Sequence, residues 1–256
     1  FDVREIVDEI LEELSKSDRA AVKLLYAYYD CENIIARRAQ RERHNALGNL
    51  SAEQIDEMFT TRNYDSLPSH VAKVVKYFNE ADDEDRDEED VITESFERAL
   101  FAAYYKDLAA SKCHFLRAWG EFDRNLRNIA AALAAREAGR MVADVVVGGG
   151  DVVEQLKRSS AADFGLRGEL QYIDAVIAAV SDEKNIVEKE RKIDAIRWAE
   201  AENIAVFDFF NINFILSYLV RVNIIARWML LLPEAGREML NRLMRDLDAK
   251  ELVKKQ

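Results

Sequence analysis

The densest set of groups able to hold a cation is the acidic run NEADDEDRDEED at residues 79–90. There Asp83, Glu84 and Asp87 take the spacing of the magnesium-binding DExxD of a prenyl-chain enzyme, and Asp82 could open a calcium loop. The first chemistry needs a helix facing an apolar cavity and a second acidic motif, and the second needs a sharp-turn glycine. The run offers neither. With almost no apolar residue to hold it on a core, it reads as a solvated linker.

Other chemistry is thinner. Gly148, Gly149 and Gly150 follow a β-branched run, as a phosphate-cradling loop would, yet neither GxxxxGK[ST] nor GxGxxG fits and Asp151 follows directly. A flexible connection is the better reading. Asp163-Phe164-Gly165 spells a kinase DFG without HRD or a Gly-rich loop. His44, His70 and His114 are scattered, and Cys31 and Cys113 lie in helical patterns without metal-ligand spacing, so they read as reduced thiols. The sequence points to no metal, no cofactor, no small-molecule substrate and no catalytic group.

The elements that would position any site are helical. Over 256 residues the chain has only 9 Gly and 2 Pro, too few to punctuate an all-β fold, and 49% apolar residues, enough for a substantial core. The predicted fold class is all-α. A formal charge of −12 repels phosphate backbones and makes nucleic acid an unfavourable partner. The most apolar stretch, IAVFDFFNINFILSYLVRVNIIARWMLLL, is interrupted by Asp208, Arg221 and Arg227, which predicts a buried helical region and no direct membrane span. No secretory signal opens the chain, and a start at Phe1 suggests that a native segment precedes it.

Along the chain, Val3, Ile6, Val7, Ile10, Leu11 and Leu14 share one helix face, after which SKSD breaks the helix and Ser17 is placed to cap the next. Ser51 and Gln54 form a capping box that starts a helix near residue 51. Phe115, Trp119, Phe122, Leu126, Ile129 and Leu133 mark a long amphipathic helix. Ser160 and Asp163 have capping-box spacing, helices are expected near 169–180 and 183–200, and the last begins at Pro233.

A repeat runs through these helices. Tyr28 precedes Asn33-Ile-Ile-Ala-Arg37 as Tyr218 precedes Asn223-Ile-Ile-Ala-Arg227, and Asn128-Ile129 stands midway, 95 residues from each. Asparagine is unfavourable inside a helix, so Asn33, Asn128 and Asn223 suggest a shared packing task, such as a hydrogen bond to a neighbouring helix end. The period divides the chain into helical units at 1–66, 95–161 and 188–256, joined by an acidic linker at 67–94 and a connecting segment at 162–187. Arg37, Arg41 and Arg127 are candidates for contact with acids of a partner.

The stretches LLYAYYDCENIIARR, AWGEFDRNLRNIAAALAAR, SSAADFGLRGELQYIDAV, VEKERKIDAIRWAE and LVRVNIIARWMLL resemble the family of C-type (also called d-type) central-stalk subunits of V-type and A-type rotary ATPases, in a bacterial C-like branch. That resemblance spans nearly the whole chain and rests on patterned helices. It implies three pseudo-repeated helical units in one funnel-like body, with no catalysis. Such a body caps the cytoplasmic end of the membrane rotor ring, seats the central axle and carries torque between them. The implied partners are rotor-ring and axle subunits, and the implied location is cytoplasmic, peripheral on the inner membrane through the complex. A helical-repeat scaffold for another protein is the second reading, and a magnesium enzyme using Asp83, Glu84 and Asp87 the third.

Overall fold

A computed structural model describes residues 2–80, 91–181 and 185–254. Among the described residues there are eleven α-helices and no strand. In order they are α1 (Val3–Glu13), α2 (Lys16–Arg38), α3 (Ala52–Thr61), α4 (Ser69–Asn79), α5 (Phe96–Ala110), α6 (His114–Glu137), α7 (Asp151–Arg158), α8 (Ile173–Val180), α9 (Ile186–Ile204), α10 (Ile212–Leu231) and α11 (Pro233–Lys254). A short 3₁₀ turn at Val142–Asp144 precedes the glycine loop. The all-α class is therefore observed.

Local chemistry sets most helix starts. Asp2, Ser95, Asn185 and Asn211 accept hydrogen bonds from first-turn amides of α1, α5, α9 and α10. The Ser51–Gln54 box starts α3 with both of its reciprocal bonds made. One cap differs from expectation: Ser15, not Ser17, accepts from Asp18 N and begins α2. The chain breaks at Leu14, and Asp18 then stands at the third helical position, where its carboxylate takes a bond from the Ser15 hydroxyl.

The long helices α2, α6 and α10 run the same way, with α10 packed against both of the others. The first turns of α6 and α10 meet where Asn213 Oδ1 accepts from Phe115 N at 3.0 Å and from Cys113 Sγ at 3.4 Å. Halfway along, the Tyr26 hydroxyl donates to Asn223 Oδ1 at 2.9 Å, joining α2 to α10, and the Arg127 guanidinium lies 4.6 Å from the Tyr28 ring, joining α6 to α2. Each long helix is entered by a short turn from α1, α5 or α9. One continuous apolar core runs from Val3 through Ile34, Leu108, Phe115, Ile129 and Ile225 to Leu243, so the three sequence units share a single interior.

The proposed linker at 67–94 contains a packed helix. Val71 and Val75 of α4 are buried, and Asp107 of α5 caps its first turn from another element, accepting from His70 N and Val71 N at 3.0–3.1 Å and from His70 Nδ1 at 2.8 Å. Residues 81–90, with Asp83, Glu84 and Asp87, lie outside the described residues. Segment 162–187 carries α8, but the Ser160–Asp163 pair does not start it. Asp163 Oδ1 instead accepts from Gly165 N and closes a turn.

α10 is long and apolar enough to cross a membrane, but half of the qualifying window is buried within the protein. α11 doubles back along it at very close range: a Cβ on Gly236 would stand 2.6 Å from Met229 N and 2.8 Å from its Cα. Only glycine lets the two backbones approach so closely.

Candidate functional site

The most concentrated polar chemistry is buried where α6, α9 and α10 meet. Asp123 of α6 accepts from the Tyr105 hydroxyl at 2.7 Å, from Arg127 Nε at 2.9 Å and from Arg197 Nε at 3.4 Å. Asp194 of α9 accepts from Arg227 Nη1 at 2.8 Å, from the Trp228 indole at 2.9 Å and from Arg197 Nη1 at 3.3 Å. Arg227 also pairs with Glu190. Three carboxylates thus face three guanidiniums in one chain of ion pairs.

The junction is balanced in charge and saturated in hydrogen bonds. Burial pushes the Asp123 carboxyl up, but Arg127, Arg197 and the Tyr105 hydroxyl more than offset that and hold it below its ordinary value. Burial likewise pushes the Tyr28 hydroxyl up to about 12. Removing one partner from such a set costs far more than the set contributes against an apolar replacement, so its effect is to lock helix positions.

Asn33 and Asn128 perform the same task. Asn33 Nδ2 donates to the Asn45 carbonyl at 2.9 Å while its Oδ1 accepts from Asn45 N at 2.6 Å. Asn128 Nδ2 donates to the Val147 carbonyl at 2.9 Å and its Oδ1 accepts from Val147 N at 2.8 Å. Each side chain imitates a strand partner for one residue of the loop that follows its helix. Both helices end alike, with a left-handed residue, Gln40 or Gly139, and Arg41 N or Arg140 N reaching back to Ala36 O or Ala135 O. Asn223 does something else: α10 passes through Leu232 directly to α11, leaving no returning loop to hold, and Asn223 accepts from Tyr26 instead.

Of the three arginines expected to meet a partner, two are engaged within the chain. Arg37 forks onto both oxygens of Asp56, and Arg127 is held by Asp123 over Tyr28. Arg41 is exposed on the loop after α2, beside a small hollow it shares with His44. His70 is bound to Asp107, Cys31 is buried with its thiol pushed up by burial, and among the described residues no group of three His, Cys, Asp or Glu could hold a metal. Phe164 of the DFG triplet is fully buried under the Arg136 guanidinium, 3.7 Å from its ring centre.

Sequence reasoning missed the exposed apolar tips at the two ends of α10. At its start the turn after α9 displays Val206, Phe207, Phe209 and Phe210, with Phe207 89% exposed. At its end Leu230, Leu231 and Leu232 are exposed, Leu230 to 87%. The helix between them has 20 residues, which sets the tips about 30 Å apart. Three phenylalanines within four residues, split by Asp208 and followed by the capping Asn211, were the available signal: a run this apolar with no helical period has no face to bury.

Over residues 1–250 the chain matches the family described as a protein of unknown function, DUF2764, and it belongs to that family. No curated protein and no solved structure matches it.

Proposed function

We propose that this chain is a non-catalytic central-stalk subunit of a V/A-type rotary ATPase, coupling the central axle to the membrane rotor ring. The reading rests on the resemblance of its patterned helices to the C-type stalk family. The observation that carries it further is the pair of exposed apolar tips at opposite ends of α10, on a helix braced by a buried charge junction.

A torque adaptor must bind one partner at each end and resist twisting between them. Apolar tips provide docking area, and three parallel helices tied by Tyr26–Asn223, Arg127–Tyr28 and the Asp123–Asp194 arginine network provide stiffness. On this reading the protein is cytoplasmic and held at the inner membrane through the complex.

The test is purification of the tagged chain from its native membranes. Rotor-ring and axle subunits should come with it, and Phe207→Ser with Phe210→Ser should lose one partner while Leu230→Ser with Leu231→Ser loses the other. A stable complex with a different protein and neither of these would favour the scaffold reading, which the shared clamp of Asn33 and Asn128 also supports.

A further inference from the structure

A cleft of about 440 Å³ opens between α5 and α6, with Tyr105, whose hydroxyl reaches Asp123 of the charge junction, in its wall. The buried Tyr105 and Gly120 lie in its lining, and His114, Arg117, Glu121 and Arg124 line it from one face of α6. Two guanidiniums and an imidazole against one carboxylate is an unusual lining for a chain of net charge −12.

Arg124 is the atypical member. Its Nε is buried with no hydrogen-bond partner among the described residues, and no acid there pairs with its guanidinium, although Glu121 lies one turn away. Backbone fixes the side chain instead: a Cβ on Gly148, which has φ +77°, would stand 3.4 Å from Arg124 Cδ and 3.6 Å from Nη1. Gly148 is itself anchored, because Asn128 clamps Val147, and Arg98 donates to the Ala143 and Val146 carbonyls at 2.9 Å. The glycine loop that fits no phosphate motif thus passes directly beside an arginine. Arg117 donates one Nη1 bond to its neighbour Ser111 O at 2.8 Å and has no acid partner among the described residues.

We propose that this cleft binds a small molecule carrying a polyphosphate chain, with Arg124 and Arg117 taking separate phosphate groups. Seven residues of helix separate them by about 10 Å along α6, and a guanidinium's planar fork suits phosphate oxygens. Glu121 stands between the two cations and disfavours a compact anion seated midway, so the site selects charge spread along a chain. The inference is independent of the rotary reading.

The experiment is calorimetric titration of the full chain with inorganic tripolyphosphate, free of divalent cations and at physiological salt. Saturable one-to-one binding is expected, with orthophosphate at least about tenfold weaker, a gap of about 1.4 kcal/mol. Arg124→Gln and Arg117→Gln should each weaken tripolyphosphate about tenfold or more, Arg124→Lys less, and Arg41→Gln, on a distant loop, not at all. Helical circular dichroism equal to the parent's qualifies each variant, and Arg117→Gln, on an exposed side chain, stands in if Arg124→Gln misfolds. The proposal fails if no saturable heat appears, if orthophosphate binds as well, or if Arg41→Gln weakens binding equally. It also fails if a poly-glutamate peptide binds more tightly than tripolyphosphate, since the cleft would then be a dock for an acidic protein segment.

Discussion

Replacing Asp194 by alanine tests whether the junction of α6, α9 and α10 locks the three helices. Asp194 is 2% exposed and accepts from Arg227, Arg197 and the Trp228 indole, itself buried. In the variant the indole N–H loses its acceptor, and Arg227 keeps only the half-exposed Glu190. Breaking a buried ion pair from one side costs about 3–5 kcal/mol. At this chain length 1 kcal/mol moves the melting temperature by about 2 °C, so Asp194→Ala should melt roughly 6–10 °C below the parent. Asp56→Ala is the control, because it breaks the exposed pair with Arg37, worth about 0–1 kcal/mol, and should shift melting by no more than about 2 °C. Thermal unfolding followed by circular dichroism reads both. If Asp194→Ala melts no lower than Asp56→Ala, the assignment of the junction is wrong.

The two clamps should respond alike. Asn33→Ala and Asn128→Ala each strand one part-buried N–H and one carbonyl, and Asn223→Ala strands the buried Tyr26 hydroxyl, so each should cost about 1–3 kcal/mol in urea unfolding; an unchanged urea midpoint for Asn33→Ala or Asn128→Ala would show that the clamp adds nothing. The Asp123 carboxyl is held below its ordinary value, so the stability it contributes is present above the unfolded value near 4 and is lost as pH falls through the lower folded value. Urea midpoints of the parent and Asp123→Asn, well separated at pH 7, should therefore converge below about pH 4, and a constant gap would contradict this. Gly236→Ala drives a methyl into the Met229 backbone and should cost about 1–3 kcal/mol or more; unchanged melting would mean that the α10–α11 approach is looser than the geometry states.

Features set by neighbours in sequence were legible. The Ser51–Gln54 box, the apolar stripe of α6 and the Pro233 start of α11 need only residues within a few positions of one another. Features made by distant partners were not. Nothing near His70 announces that Asp107 will cap α4, and nothing near Asp123 names Arg197. A weaker signal was present all the same. Asp30 falls in phase with Tyr26 and Ile34, Asp123 with Trp119 and Leu126, and Asp194 with Trp198, and all of these residues are buried. An acid on an apolar stripe must find partners or stay neutral. Asp123 and Asp194 found arginines, while Asp30 found Leu50 N and the Asn49 amide, which only partly offset the upward push of burial on its carboxyl.

The repeated asparagine separates likeness of letters from likeness of role. α2 and α10 share the pentamer Asn-Ile-Ile-Ala-Arg, yet α2 and α6, which share only Asn-Ile, make the same pair of hydrogen bonds. What decides is the chain after the helix. Behind α2 and α6 more than ten residues return along the helix and offer a backbone amide and carbonyl; behind α10 a single residue, Leu232, precedes Pro233. α10 lacks such a loop, and its last turn presents Leu230 and Leu231 to solvent. On the rotary reading this is the step that turns a repeated helical unit into a docking end: two units close on themselves through their asparagines, and the third, unable to, leaves its apolar terminus for a partner to cover.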